Sequence, residues 1–275
     1  LFLDVTGRND WSSSLPSDTR SYFYPSVAGS VVLSEFIPMP SCIDFWKVRG
    51  SWTMSKDDTS VYATNNTYSI STNIWDDVTT AYYPTTIRNK SVQPSTSKSY
   101  ELGTMVTFFG KRLILDAAYY NKYYYNRIVN TTISAASGFD KTQVNSKEEY
   151  VRRGVEIQVS GDIIKNRDLN WNSTFNWALD RKYYAKLDPD FSSKKPWVKE
   201  GGRTDYVTYA DYEYDKDGNM IHEAGYPLVG DYSTLHGYSN PDWIWGWVNT
   251  VTYKNFTLSF TVDGRVGGIA YSNTN

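Results

Sequence analysis

The run KSYELGTMVTFFGKRLILDAAYYNKYYY occupies residues 98–125 and decides the fold. Alternate residues from Tyr100 to Phe108 are mostly apolar or aromatic, and the residues between them are mostly small or polar. After residues 109–112 the alternation resumes and runs from Leu113 to Tyr119. A period of two on both sides of a short turn is typical of a β-hairpin with one buried face. We therefore predict two antiparallel strands joined by a tight turn.

The apolar face of this hairpin has the dimensions of a membrane-spanning strand. We expect Tyr100 and Tyr119 at one level, and Phe108 and Leu113 beside the turn. Eight residue steps from Tyr100 to Phe108 span roughly 27 Å at about 3.3 Å per residue. At a tilt of about 40° they cover roughly 20 Å of height, close to the apolar band between the aromatic girdles of an outer-membrane barrel. Strands of soluble sandwiches are commonly about five or six residues long.

Composition agrees with strands rather than helices as membrane spans. The chain has 24 Tyr and 10 Trp, yet its mean hydropathy is -0.53. The sequence has no apolar run of about eighteen residues, the length that a helical span needs, whereas barrel strands give a much weaker hydropathy signal. The formal net charge of -2 suggests no nucleic-acid partner. With Cys42 as the single cysteine, an intrachain disulfide is excluded.

The same alternation recurs along the chain and predicts about nine strands. Their connections alternate in length. Short turns are expected after Leu33, Phe108, Ile164 and Tyr253, and long polar segments after Asn9, Met54, Tyr125 and Leu179. A closed transmembrane barrel has short periplasmic turns and long extracellular loops in this order. Because both ends of the sequence look cut and nine strands would leave unpaired edges in lipid, we expect a fragment of a larger barrel.

The strand faces opposite the apolar residues carry charge and therefore need water, which predicts a polar lumen. The lumen-facing candidates are Glu101, Asp116, Glu156, Asn170, Asn172, Asn176, Asp263 and Arg265. Glycosidic hydrolysis needs two carboxyl groups roughly 5–10 Å apart, and the sequence does not bring two together. We expect these carboxylates to solvate the lumen and to pair with Lys122, Arg152 or Arg265. Strand-end aromatics on the apolar face predict the girdles: Trp46, Trp52, Tyr100, Tyr119, Trp177, Trp243 and Tyr253.

The aromatic residues of the long loops form a second set, because loops lie outside the girdles. They can stack on sugar rings, bury into a partner or pack the loops together, and they are Trp75, Tyr82, Tyr83, Trp197, Tyr206, Tyr209, Tyr212 and Tyr214. His222 and His236 lie in the longest loop without HExxH spacing. Residues 215–219 (DKDGN) are similar to a calcium loop, but the glutamate expected at its twelfth position is absent, so we predict a hairpin turn. We predict no catalytic residue, metal or cofactor.

Seven runs, taken together, resemble the SusC/RagA family of TonB-dependent outer-membrane transporters. They are TGRNDWSS at 6–13, YPSVAGS at 24–30, WKVRGSW at 46–52, the hairpin at 99–121, RGVE at 153–156, NPDW at 240–243 and GRVGG at 264–268. Each run is short, but their order and spacing extend over nearly the whole chain. The departures, Tyr24 in place of Phe and Arg152-Arg153 in place of the usual Asn, concern local packing only.

The resemblance implies that residues 1–275 are part of one transmembrane barrel domain of about twenty-two strands. A plug domain, a TonB box and the first strands would precede residue 1, and the last strands would follow residue 275. The family fold implies the outer membrane of a Gram-negative cell, in contact with its lipid.

The resemblance also implies a function. Family members import oligosaccharides or peptides by a TonB-driven mechanism, with a SusD-like surface lipoprotein over the extracellular mouth, and a dimer of such transporter–lipoprotein pairs remains open. The implied role is not enzymatic. Two alternatives also remain open: an outer-membrane barrel without a transport function, and a secreted carbohydrate-binding or hydrolytic β domain that dissolves without detergent.

Overall fold

Nine long strands form one antiparallel sheet in chain order. A computed structural model describes residues 1–270, with the backbone alone for Ile74 and Trp75. Within that range each long strand pairs with the long strands that precede and follow it in the sequence. The strands are β1 (Phe2–Trp11), β2 (Ser21–Val32), β3 (Ile43–Asp57), β4 (Ser95–Phe108), β5 (Leu113–Tyr125), β6 (Glu149–Lys165), β7 (Leu169–Lys186), β8 (Trp243–Tyr253) and β9 (Phe256–Val266). The predicted all-β architecture is confirmed.

Cross-strand register sorts apolar and charged residues onto opposite faces. In the β4–β5 hairpin, Phe108 pairs with Leu113 beside the turn, as predicted. Leu102 pairs with Tyr119, whereas Tyr100 pairs with Asn121. The expected alignment of Tyr100 with Tyr119 is therefore wrong by two residues. The four turn residues between Phe108 and Leu113 set this register, and register decides which side chains are neighbours.

The connections alternate between the two ends of the sheet. One end carries residues 33–42, 109–112, 166–168 and 254–255, and the other carries residues 12–20, 58–94, 126–148 and 187–242. The predicted difference in length holds from β3 onward, whereas 12–20 and 33–42 are similar in length. The β4–β5 turn reverses at Gly110 and Lys111, with φ of 66° and 65°, a left-handed conformation that glycine adopts at little cost.

The strands extend further toward the long-loop end than the sequence pattern predicts. β3 continues past Met54 to Asp57, β4 begins at Ser95, and β7 continues past Leu179 to Lys186. Polar and aromatic residues occupy both faces of these extensions, so the sequence lacks the apolar–polar alternation there. Backbone pairing continues nevertheless, with Tyr184 opposite Tyr150.

The long connections are built from short strand pairs, where the sequence predicts only polar loops. Ile128–Thr132, Lys141–Asn145 and Thr86–Ile87 form a three-stranded sheet that joins two different loops. The remaining pairs are Ser69–Trp75 with Val78–Tyr82, Tyr206–Tyr212 with Val229–Tyr238, and His222–Glu223 with Tyr226–Pro227. We call residues 12–20, 58–94, 126–148 and 187–242 together the loop layer.

The buried hydrophobic clusters lie at the loop end, not along the sheet. One comprises Leu15, Tyr22 and Val92. A second comprises Tyr150, Tyr184 and Val198, with Trp197 and Tyr206 packed against it. Along the sheet itself the apolar residues stay uncovered.

Leu102 and Leu258 illustrate that uncovered face, with 64% and 63% of their surface exposed. Soluble proteins rarely leave so large a contiguous apolar surface in water. In residues 1–270, no helix is long and apolar enough to cross a membrane.

Candidate functional site: the charged face and the loop layer

All eight predicted lumen-facing residues lie on one face of the sheet, which we call the charged face. Direct cross-strand partners point to the same side, and the register links Asp116 to Gln158, Gln158 to Asn176, and Asn176 through Gly246 to Asp263. The same pairing places the other candidates there: Glu101, Glu156, Asn170, Asn172 and Arg265. A groove of about 570 Å³ on this face is lined by residues that include Arg49, Asp116, Glu156 and Gln158.

Arg49 is the counter-ion at the centre of the charged face. Its two terminal nitrogens lie 2.8 and 3.1 Å from the two carboxylate oxygens of Asp116, and its Nε lies 3.9 Å from Glu101. The expectation that Lys122, Arg152 or Arg265 would pair with these two carboxylates is wrong. Arg49 on β3 reaches across β4 to β5, and sequence alternation specifies the face of a long side chain but not the strand it crosses.

Arg49 offsets part of the negative charge on this face. Glu101 and Asp116 approach one guanidinium, so one of their two negative charges is balanced within three adjacent strands. Across the described residues, no group of three His, Cys, Asp or Glu side chains is placed to hold a metal ion.

The predicted girdle residues lie on the opposite face, which we call the apolar face. Trp52 pairs with Tyr100, and Trp177 pairs with Trp245. The register gives the same face to Trp46, Tyr119, Trp243 and Tyr253. Indole bodies with one polar N–H are suited to the boundary between hydrocarbon and water.

The predicted loop aromatics divide into two groups. Trp197 and Tyr206 pack together at the base of the longest loop, with ring centroids 6.1 Å apart, beside the buried Tyr184. The others are exposed: Tyr82, Tyr83, Tyr209, Tyr212 and Tyr214. The side chain of Trp75 lies outside the described residues.

Two of the exposed tyrosines have ring partners. Tyr83 makes edge contacts with Tyr68 and Phe139, which joins the loops at 58–94 and 126–148. Tyr209 stacks on His236 with ring centroids 3.4 Å apart. Residues 215–219 form the predicted hairpin turn, in which Asp215 accepts from the backbone N–H groups of Asp217 and Asn219.

Asp188 joins two parts of the loop layer. Its carboxylate accepts the backbone N–H of Lys147 at 3.0 Å and that of Asp190 at 3.1 Å, and only 2% of the residue is exposed. Burial opposes ionisation, but these backbone donors outweigh it and hold the pKa of Asp188 below its ordinary value. Similar ties join the first two loops, where Ser14 donates to Asp58 and Thr19 donates to the carbonyl of Val92.

Arg203 fastens the base of the longest loop to the start of β8. It binds Asp205 through two nitrogens, donates to Asp242 at 3.0 Å and lies 4.1 Å from the ring centroid of Tyr238. Burial opposes ionisation of Asp205, but the Arg203 guanidinium and the Asn240 N–H hold its pKa below the ordinary value. Hydrogen bonds and ion pairs thus connect the loops of the loop layer to one another and to the sheet.

Sequence reasoning missed several residues of this layer. Exposed tyrosines outside the predicted set include Tyr62, Tyr68, Tyr226 and Tyr232. The ties made by Asp188 and Arg203 were also missed, because no periodic pattern marks a polar loop residue as buried. The one usable signal was the NPDW run at 240–243, whose Asp242 is shared by Arg203 and Arg181.

A meander with an uncovered apolar face that carries aromatic residues, and with a charged opposite face, defines a part of an outer-membrane β-barrel. The family model described as TonB dependent receptor-like, beta-barrel matches residues 1–275. The chain therefore belongs to that family, and the predicted resemblance to SusC/RagA transporters and the Gram-negative outer-membrane location are confirmed.

Two curated proteins of Formosa agariphila are similar in sequence. TonB-dependent receptor P3 is 24% identical over 311 residues, covering 96% of this chain, and TonB-dependent receptor P26 is 23% identical over 309 residues, covering 98%. The chain spans 30% of the length of each.

Solved structures with the same fold include the RagAB peptide importer in two states. In the closed-closed state the TM-score is 0.78 at 19% identity, covering 97% of this chain and 32% of that one. In the open-open state the TM-score is 0.77 at 18% identity, covering 97% and 31%.

Proposed function

We propose that the chain forms part of a TonB-dependent nutrient importer for oligosaccharides or peptides. Residues 1–275 would be part of a single barrel domain, and the whole protein would add the remaining strands, a plug and a TonB box. A SusD-like surface lipoprotein would cover the extracellular mouth, and such pairs would be able to dimerise.

The charged face beneath the loop layer is the observation that carries this proposal. Charged and amide side chains occupy four of the five strands from β5 to β9, namely Asp116, Gln158, Asn176 and Asp263, and Gly246 takes the matching position on β8. A barrel that only anchors a surface domain does not need a charged face beneath its loop layer. The RagAB structures, described as a peptide importer, add support by analogy of fold.

We assign contact with cargo or with the lipoprotein to the exposed loop tyrosines. Tyr212 and Tyr214 are 50% and 55% exposed and lie beside the turn at 215–219. Tyrosine rings bring a large apolar surface with a polar tip, which suits both sugar stacking and protein interfaces. We assign Trp197 and Tyr206 to the folding of the loop instead, because they pack against buried residues.

A test of transport uses the intact gene in the source bacterium. Deleting the TonB box of the full-length protein should abolish growth on the cargo polymer while cells still bind labelled cargo at the surface. Unchanged growth would contradict TonB-driven import and would favour a barrel without a transport function.

A test of the partner uses the full-length protein extracted from outer membranes in detergent. Mass spectrometry should find a surface lipoprotein in roughly equal amount with it. A protein that purifies without any lipoprotein, before and after mild crosslinking, would contradict the proposed covering of the mouth.

A further inference from the structure

Three basic residues are direct cross-strand neighbours on the charged face. Arg152 on β6 pairs with Lys122 on β5 and with Lys182 on β7. The three therefore cross adjacent strands that lie about 4.8 Å apart, and we call them the cation row. Like charges placed directly opposite each other destabilise a sheet. Folding alone therefore gives no reason for this row.

One member of the row is neutralised. Arg152 binds both oxygens of Asp180, and the hydroxyl of Tyr120 also donates to Asp180 at 2.9 Å. In residues 1–270, Lys122 and Lys182 have no carboxylate within 4.0 Å.

Another carboxylate at this end of the sheet belongs to Glu148, which immediately precedes β6. The hydroxyl groups of Tyr150 and Ser192 both donate to it. Its hydrogen-bonding capacity is thus partly used within the loop layer, and it does not form an ion pair with Lys182.

Tyrosine rings, rather than acids, hold the two lysines. Nζ of Lys182 lies 4.3 Å from the ring centroid of Tyr150 and 5.6 Å from that of Tyr124. Nζ of Lys122 lies 5.2 Å from the ring centroid of Tyr124, and Arg127 adds a guanidinium 4.9 Å from that of Tyr150. Cation–π contact positions an ammonium group without cancelling its charge.

We propose that the cation row binds the carboxylate or sulfate groups of an acidic oligosaccharide as it passes beneath the loop layer. This inference rests on the proposed function and specifies its cargo. The row lies closer to the loop layer than the Arg49–Asp116 pair does. On β5, Lys122 is six residues beyond Asp116 in the direction of the loop layer. Cargo arriving from the loop end therefore meets the positive charge first.

The spacing of the row favours a saccharide over an acidic peptide. An extended peptide places same-face carboxylates roughly 6.6 Å apart, two residues along the chain. The two cations without a carboxylate partner, Lys122 and Lys182, lie two strands apart, roughly 9.6 Å at about 4.8 Å per strand. That spacing is longer than the peptide repeat, and it suits an oligosaccharide that carries an acidic group on every second ring. Charge-assisted hydrogen bonds to carboxylate or sulfate are stronger than neutral ones.

The test measures binding to the detergent-purified full-length protein together with whatever lipoprotein accompanies it. The probes are hexagalacturonate, a chondroitin sulfate hexasaccharide, neutral maltohexaose and hexaglutamate, each titrated by calorimetry. We expect an acidic hexasaccharide to bind, and the double variant Lys122→Gln/Lys182→Gln to weaken that binding about tenfold or more.

Matched variants distinguish the loss of positive charge from a loss of folding. Lys47→Gln removes a cation of the same face far from the row and should leave affinity unchanged. The double variant Lys122→Arg/Lys182→Arg should retain binding, because it keeps both charges. The heat-dependent gel mobility of the barrel verifies that every variant folds.

Two results would overturn the proposal. One is equal affinity for maltohexaose and the acidic hexasaccharides, or no effect of the glutamine variant. The other is binding of hexaglutamate without binding of either acidic hexasaccharide. Neither result touches TonB-driven import itself, whose failure would show instead as unchanged growth after deletion of the TonB box.

Discussion

Arg203 and Asp205 form a two-point ion pair, with Nε 3.0 Å from Oδ1 and Nη2 2.7 Å from Oδ2. Their side chains are only 10% and 9% exposed. Because Arg203 also reaches Asp242, this pair connects the longest loop to the sheet at the start of β8. The stability of the loop layer should therefore depend on this ion pair.

Arg203→Gln should therefore loosen the longest loop while the barrel strands stay intact. Removing one partner of a buried pair leaves the other charge uncompensated, at a cost of about 3–5 kcal/mol. Hydrogen exchange should lose protection in Tyr206–Tyr212 and Val229–Tyr238 by a hundredfold or more, as about 3 kcal/mol implies. Arg8→Gln breaks the exposed Arg8–Asp10 pair and serves as the control, and equal effects of the two variants would contradict the role of Arg203.

Acid should break the hydrogen bonds that Asp188 accepts from Ser146 and Lys147. The folded-state pKa of Asp188 is lowered from 3.8, so its stabilising contribution is complete above the unfolded-state value. The contribution is lost as the pH falls through the lower folded-state pKa. Hydrogen exchange corrected for intrinsic rates should show this loss beginning near the unfolded-state value of 3.8 and growing as the pH falls below it. Asp188→Asn should lack the acid step, and an unchanged step in that variant would assign it to another group.

Gly103 leaves the space through which Arg49 reaches Asp116. A Cβ atom at position 103 would lie 2.6 Å from Cζ of Arg49, so Gly103→Ala should displace the guanidinium from Asp116. The free energy of unfolding should fall by about 0.5–1 kcal/mol, since the side chains of Arg49 and Asp116 are both about one-third exposed. This loss should appear as a lower melting temperature in detergent.

Gly246→Ala is the matched control, because this glycine is on the same face with nothing within 4 Å of an added Cβ. In an Arg49→Ala background the effect of Gly103→Ala should disappear, as expected for two residues that interact directly. Additive effects would show that Gly103 acts on something other than Arg49.

The two faces of β9 should respond oppositely to a new charge. Val262 lies on the apolar face and is 44% exposed, whereas its neighbour Thr261 lies on the charged face opposite Val248. Val262→Lys should destabilise the barrel by about 2–4 kcal/mol near mid-membrane depth, and Thr261→Lys should have little effect. Outer-membrane yield and unfolding in urea measure the difference, and equal tolerance of both changes would contradict the assignment of the faces.

The faces of the sheet follow from the sequence alone. Strand side chains alternate with a period of two, so Leu102 and Glu101 must point to opposite sides whatever the rest of the chain does. The same rule places Asp116, Asn176 and Asp263 together once their strands pair in order. Chain order supplied that pairing, because consecutive antiparallel strands joined by turns are usually neighbours.

Only the tertiary structure decided which polar groups meet. Arg49 pairs with Asp116 although 67 positions separate them, and Lys122, Arg152 and Lys182 align only because three strands share one register. Asp188 is buried and the Arg203 side chain is only 10% exposed, although both lie in polar loop sequence. Local periodicity specifies the direction of a side chain, whereas its partner depends on register and on loop contacts between residues far apart in the chain.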